Sequence, residues 1–227
     1  MSRRRIFVYG AGGHGKVVAD LLLPRGEKEF VGFVDDREEL WGAKVMGFPV
    51  LGGGEWLRGE AGSARIAVAL GVGDNASRHW IAESCAYWGA EILTVVHPRA
   101  AVSPAARVGR GTVMMANATV NADAVVGEGV IVNSGAVVDH DVGVGEYAHV
   151  APNATMGGGS SLGAFSHLGI GASVLPCVHI GARTVVGAGA VVVKNLPDEV
   201  VAIGVPARIH RQRWQGVGPV LTAASGK

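Results

Sequence analysis

The chain is short of several things, and each shortage closes off a class of protein. It has two cysteines, Cys85 and Cys177, in 227 residues. So sparse a pair makes neither a disulfide framework nor a zinc spacing, so both are expected to be reduced thiols in a cytoplasmic protein. Charged residues make up 17% and the net charge is +1, with Arg3-Arg4-Arg5 as the one basic cluster, which leaves nucleic acid little to hold. No apolar run approaches the ~20 residues that a membrane span needs. The stretch after the arginines, Ile6-Phe7-Val8-Tyr9, is too short for the core of a signal peptide. Aromatics are scarce, at 6%. What is plentiful is apolar material, 48%, enough for a sizeable core, and glycine, 36 residues, which calls for a repeat.

The repeat has a period of six. From Val102 through Val108, Met114, Val120, Val126, Val132, Val138, Val144, Val150, Met156, Leu162, Leu168, Val174, Ile180, Val186 and Val192, every sixth residue is aliphatic. At the chain's own apolar frequency, such a run would arise about once in 100,000 trials. Four residues after each stands a small or apolar residue, from Ala106 and Thr112 to Ala190 and Leu196. A helix would show apolar positions every three or four residues and a simple strand every two. Six suits a short strand plus a tight corner, with the aliphatic side chain inside. Glycines at Gly109, Gly127, Gly145, Gly163, Gly181 and Gly187 follow the aliphatic residue, where a turn at positive φ is expected. Three hexads close one triangular coil, so the run predicts about five coils, stacked with parallel strands roughly 4.8 Å apart around one shared core.

These hexads resemble the left-handed parallel β-helix of the hexapeptide acyltransferases. The left hand comes from that resemblance and runs against the usual right-handed crossover. The resemblance also implies a homotrimer with active sites in clefts between neighbouring helices. Ile203-Gly204-Val205-Pro206-Ala207-Arg208 resembles the segment that closes such helices. From Arg211 the pattern stops, and 216–227 reads as a loose tail.

The front of the chain has another rhythm. Strands are expected at Arg5–Tyr9, Phe30–Val34, Arg65–Leu70 and Ile92–Val96, and helices at Val17–Leu23 and Asn75–Trp88. That is a small Rossmann-like α/β domain with a parallel sheet. Gly10-x-Gly12-x-x-Gly15 follows the first strand, and Asp35 stands 20 residues beyond Gly15. Glycines let the backbone approach a pyrophosphate at a helix N-terminus, so the motif reads as diphosphate before it reads as NAD. A complete dinucleotide fold has two such halves, and this stretch has room for one. A nucleotide-diphosphate sugar, NAD and a structural glycine turn are the three readings. On the first, Gly12, Gly13 and His14 face the diphosphate, and Asp35 or Asp36 the base or ribose. The expected division is 1–97, nucleotide-sugar-binding domain; 98–210, β-helix acyltransferase domain; 211–227, tail.

Tyr9–Asp20, Val34-Asp35-Asp36, Gly73-Asp74-Asn75, His97-Pro98 and the hexads together resemble the sialic acid O-acetyltransferase-like family. That family includes N-acetyltransferases acting on nucleotide-linked 4-amino sugars, of the bacillosamine and perosamine pathway type. The resemblance covers about residues 5–210. It implies acetyl-CoA as acetyl donor, a nucleotide-linked amino sugar as acceptor, and no metal.

Acetyl transfer needs a nucleophile, a proton acceptor and donors for the thioester oxyanion. In Val138-Asp139-His140-Asp141, His140 is the one histidine in its hexad column, at a corner that points outward. A solvated corner histidine is the plain reading, and the flanking acids favour an oriented, more basic imidazole. The resemblance makes His140 the general base and Asp141 its helper, places Asn133 against the amino sugar, and puts His149 near the coenzyme A thioester. Gly157-Gly158-Gly159 is either a tight corner or the source of an amide, at Gly158, for the acetyl carbonyl. Ile170, Gly171, Ala188 and Gly189 are expected to line the groove for the pantetheine arm. His149 and His167 are eighteen residues apart, hence stacked on one face, and two such imidazoles leave a zinc-dependent carbonic anhydrase-like protein as a distant alternative. O-acetylation of a sialic acid-type sugar is the nearer alternative, and a non-catalytic nucleotide-sugar-binding protein the remaining one.

Overall fold

The computed structural model describes residues 4–23, 29–61 and 65–212, so Arg3 of the basic cluster and the expected loose tail lie outside the described residues. The front part runs β1 (Arg5–Tyr9), α1 (Gly13–Leu22), β2 (Phe30–Val34), a hairpin of β3 (Lys44–Val45) and β4 (Phe48–Pro49), α2 (Gly54–Ala61), β5 (Ile66–Leu70), α3 (Asn75–Tyr87) and β6 (Glu91–Ile92). Its four-stranded sheet has the order β2-β1-β5-β6, all parallel, as expected for one half of a dinucleotide fold. The central strands are apolar on both faces because helices cover both. The expected strand over Ile92–Val96 is two strands: β6 ends the front sheet, and β7 (Val95–Val96) already pairs with Val113–Met114 of the repeat. The periodicity legible from Val102 therefore starts one hexad earlier, at Val96.

From β7 onward the chain winds as a left-handed β-helix of three flat faces. The first face stacks Val95–Val96, Val113–Met114, Ile131–Val132, His149–Val150, His167–Leu168, Val185–Val186 and β-strand Val200–Ile203. The second runs from Ala101–Val102 to Val191–Val192, and the third from Arg107–Val108 to His179–Ile180. Each two-residue strand sends its second side chain inward. The aliphatic column therefore forms the core, with the small column, such as Ala118, Ala136, Ala154 and Ala172, filling the corners. Among the buried hydroxyls in that small column, Thr112 donates to Gly127 O at 2.8 Å and Ser166 to Gly181 O at 2.7 Å, while Ser160 Oγ has no hydrogen-bond partner. At the end, Arg208–Gln212 folds back antiparallel onto Val200–Ile203, so Arg211 and Gln212 belong to a closing strand rather than to a tail.

The role of the glycines differs from expectation. Gly109, Gly127, Gly145, Gly163 and Gly181 are not at positive φ. A Cβ on any of them would run into the backbone of the coil above, so they are glycine because successive coils touch there. Positive φ falls two residues later, once per corner, at Gly111, Gly129, Gly135, Gly159, Gly171 and Gly189, and also at Asn117, Asp123, Asp141, Tyr147, Asn153 and Phe165.

The front part sits on the first face. Val95, Val113 and Met115 of the helix share one buried cluster with Ile6, Val8, Val18, Leu21 and Leu22. Tyr147 joins a second cluster with Phe7, Leu57, Ile81 and Cys85. Arg78, on α3, is fully buried at this junction. Its guanidinium donates to Gly129 O at 2.7 Å and Tyr147 O at 2.8 Å in the β-helix, and to Gly73 O at 3.0 Å and Asn75 Oδ1 at 2.9 Å in the front part. Asn75 Nδ2 adds a bond to Phe165 O at 3.0 Å.

Candidate active site

The glycine-rich turn after β1 opens on a cavity of about 390 Å³ lined by Tyr9, Gly10, Gly12, Gly13, His14, Asp35, Asp36, Arg37 and Gly71–Gly73, with Val72 and Ile81. Its glycines divide by cause. Gly10 has φ +107, and a Cβ there would stand 2.6 Å from Gly71 O, while Gly15 is pressed against Gly10 O. The fold itself requires those two. Gly12 and Gly13 have ordinary φ; a Cβ on Gly12 would meet nothing closer than Arg37 Nη2 at 3.8 Å, and one on Gly13 nothing within 4 Å. Nothing in the chain needs them bare, so their openness serves whatever fills the cavity beside the first turn of α1.

Asp35 and Asp36 are both engaged inside the protein. Asp35 is buried and its two oxygens accept the Ala11 N–H at 2.8 Å, the Arg37 N–H at 3.1 Å, and Arg37 Nε and Nη2 at 2.9 Å each. Burial alone would raise its pKa, but the Arg37 guanidinium and the two backbone N–H groups outweigh that and hold it below the usual carboxylate range. Asp36 accepts the Tyr9 hydroxyl and the Gly54 N–H, each at 2.8 Å. Arg37 was not among the residues singled out in the sequence; the signal available was a basic side chain directly following a strand-end acidic pair.

His14 leaves the glycine turn toward the β-helix. Its ring centroid lies 6.4 Å from that of His149, and its buried Nε2 has no hydrogen-bond partner. His149 stacks edge-on against His167 at 4.8 Å, as their spacing of eighteen predicts. Asn133 Oδ1 accepts the Ser134 N–H at 2.8 Å, which turns its Nδ2 toward His149 Nε2 at 3.0 Å. His149 Nε2 is thus an acceptor, and the ring carries its proton on Nδ1. Burial, with His167 and Arg78 nearby, pushes its pKa down to about 2; burial and Arg78 push His14 down to about 4. Both rings are neutral at physiological pH. Nε2 of His149 faces Asn133, and no group of three His, Cys, Asp or Glu converges among the described residues of the chain.

His140 stands at the corner between the second and third faces. Asp141 adopts φ 59 there, and this left-handed turn brings its Oδ2 to 2.8 Å from His140 Nδ1. The short aspartate therefore does reach its neighbour. Facing a carboxylate, Nδ1 is the protonated nitrogen and Nε2 carries the free lone pair. The bond to Asp141, and next the charge of Asp139, raise the His140 pKa. Asp139 is held in turn by Asn121 Nδ2 at 2.8 Å and the His140 N–H at 2.8 Å. Beneath the ring lies Gly158: a Cβ there would stand 2.5 Å from His140 Cε1 and 2.6 Å from Nε2. The Gly158 N–H is among the groups that hold the Asp139 pKa down, so this amide faces the acid.

The sequence-derived residues thus fall into three places. Gly12, Gly13, Asp35 and Asp36 line the front cavity, with His14 bridging from it to His149 and Asn133 on the first face and its edge. Ile170 and Ala188 stack on the edge between first and second faces and are exposed. His140, Asp141 and Gly158 occupy a different edge of the same prism. Within one chain the structure does not bring His140 to His149.

Three comparisons bear on this arrangement. Residues 5–85 match the family model described as the PglD N-terminal domain. UDP-N-acetylbacillosamine N-acetyltransferase of Bacillus subtilis (strain 168) is 36% identical over 121 residues, a match spanning 50% of this chain and 52%, about half, of that relative's length. Among solved structures, PerB from Caulobacter crescentus in complex with CoA and GDP-perosamine is 40% identical with a TM-score of 0.84, covering 90% of this chain and 96% of that one. The acetyltransferase domain of PglB from Neisseria gonorrhoeae FA1090, in complex with acetyl coenzyme A, is 37% identical with a TM-score of 0.84, covering 92% and 100%.

Proposed function

This chain belongs to the sialic acid O-acetyltransferase-like family of hexapeptide-repeat sugar acetyltransferases, and from that premise we propose that it moves an acetyl group from acetyl-CoA to the amine of a nucleotide-linked 4-amino sugar in bacterial glycan biosynthesis. The observation that carries this reading is His14 beside His149: a side chain of the open-glycine cavity lies with its ring centroid 6.4 Å from that of the solenoid residue expected beside the thioester. A nucleotide held at Gly12 and Gly13 extends its sugar toward that contact, where Asn133 meets the sugar and His149 offers a neutral Nδ1–H to the acetyl oxygen. The amine nitrogen bonds to the thioester carbon while its proton passes to His140 Nε2. As the carbon–sulfur bond breaks, the proton goes on to the leaving thiolate. Asp141 holds His140 in the tautomer this requires. Gly158, Ile170 and Ala188 line the acetyl-CoA side.

The two edges that hold these groups support a homotrimer. His140 of one copy meets His149 of another when the corner between second and third faces packs beside the first face of a neighbour. No helix among the described residues is long and apolar enough to cross a membrane, which fits a cytoplasmic enzyme using acetyl-CoA. The test is release of free thiol from acetyl-CoA in the presence of UDP-, GDP- and dTDP-4-amino sugars, each beside its 4-hydroxy counterpart. Release with one amino sugar and not with its hydroxy partner is expected. Release with sialic acid alone replaces the reading with O-acetylation, and silence across the panel removes the transferase reading.

A further inference from the structure

We infer that Arg37, held in place by Asp35, is the residue that grips the diphosphate of the nucleotide-linked sugar, and that Asp35 itself does not contact the nucleotide. The inference rests on the nucleotide-sugar reading and deepens it. In a dinucleotide-type site, the acid after the second strand accepts a ribose hydroxyl. Here each Asp35 oxygen already accepts two hydrogen bonds, from Ala11 N, Arg37 N, Arg37 Nε and Arg37 Nη2, all between 2.8 and 3.1 Å, so no lone pair is left for a ribose.

What Asp35 does instead is fix a guanidinium. The Nε/Nη2 edge of Arg37 is spent on the carboxylate. The other edge, Nη1 with the outer hydrogen of Nη2, is left as a two-pronged donor, on a side chain that is 54% exposed. A planar fork of that kind matches two phosphate oxygens. Its position matches as well: Nη2 would be the nearest atom, at 3.8 Å, to a Cβ on Gly12. Arg37 therefore stands over Gly12, one of the two glycines that the fold does not need, at the first turn of α1. Among the described residues lining this cavity it is the sole lysine or arginine, and His14 is neutral there. Asp36, a hydrogen-bond acceptor rather than a donor to phosphate, is held by the Tyr9 hydroxyl and the Gly54 N–H. The ligand is thereby oriented, with its diphosphate at Gly12, Gly13 and Arg37, and its nucleoside toward Asp36.

The test is calorimetric binding of UDP, GDP and dTDP and of the matching nucleosides to wild type, Arg37→Ala and Arg37→Lys, with acetyl-CoA binding as the control for an intact fold. Losing a charge-assisted fork weakens binding by about 10- to 100-fold. The expected result is a loss of that size in Arg37→Ala for every diphosphate the wild type binds, absent for the nucleosides, with partial recovery in Arg37→Lys. In turnover, KM for the nucleotide sugar rises while KM for acetyl-CoA stays. Unchanged diphosphate binding in Arg37→Ala overturns the inference alone. A matching loss for the nucleoside overturns it too, by making Arg37 a reader of the base. A wild-type protein that binds none of the three diphosphates overturns the nucleotide-sugar reading and the inference together.

Discussion

Two hydrogen bonds to carboxylates set the chemistry of two different side chains. At Asp35 the carboxylate immobilises a cation; at Asp141 it orients a base. The second has a pH signature. On the reading proposed above His140 is the general base, which acts when unprotonated, so the rate climbs as pH rises through its pKa, which Asp141 and then Asp139 raise above the ordinary histidine value. Asp141→Asn removes the largest of those causes. The rising limb of kcat against pH is therefore expected to shift to lower pH, with a lower plateau because the tautomer is less firmly set. A limb that stays in place separates Asp141 from the proton acceptor. Gly158 gives a steric counterpart. It is not at positive φ, so Gly158→Ala is tolerated by the backbone, but the new methyl stands 2.5 Å from His140 Cε1 and must displace the ring. Displacing a catalytic group by about 1 Å costs on the order of 100-fold in rate. Since His140 is on the surface, the melting temperature is expected to stay within about 2 °C of wild type. Assay and thermal melt of one preparation check both halves.

Among the elements, α3 does more than its sequence advertises. Its buried positions are Arg78, Ile81, Ala82 and Cys85, the spacing of an apolar stripe with an arginine in its first place. That placement is the sequence signal for Arg78, though an arginine in a helix ordinarily reads as solvent-facing. Burial pulls its pKa down to about 10, opposed by Asp74, so it stays charged at neutral pH. Arg78→Met leaves carbonyls of Gly129, Tyr147 and Gly73 without their donor. A destabilisation of about 3–5 kcal/mol is expected by urea denaturation; a change below about 1 kcal/mol would show that water replaces the guanidinium freely. Other elements were legible for physical reasons. β1 and β2 match their sequence limits because unbroken apolar runs bounded by glycine or aspartate admit little else. The coils were legible because one aliphatic side chain per hexad must point inward. The split between β6 and β7 was not, since Ile92 and Val96 are equally apolar, and only the partner sheet tells them apart.

At the scale of the whole molecule, the sequence placed each candidate group on its own element but not their mutual distances. The approach of His14 to His149 depends on how the front part docks, and docking is decided by Val95, Val113 and Met115 on the solenoid's first face, residues indistinguishable in type from hexad filler. The same docking has a mechanical outcome. A continuous core and the Arg78 bonds join the two parts and oppose rocking of the front part, which holds the gap from the Arg37 end of the cavity to His149. On the reading proposed above, that gap works as a caliper: a ligand clamped by its diphosphate presents one ring carbon at the acetyl group, and an amine one carbon nearer or farther falls short or overshoots. Choice among positional isomers of the sugar then comes from a measured span in a stiff frame, with no side chain needed to read where on the ring the nitrogen is attached.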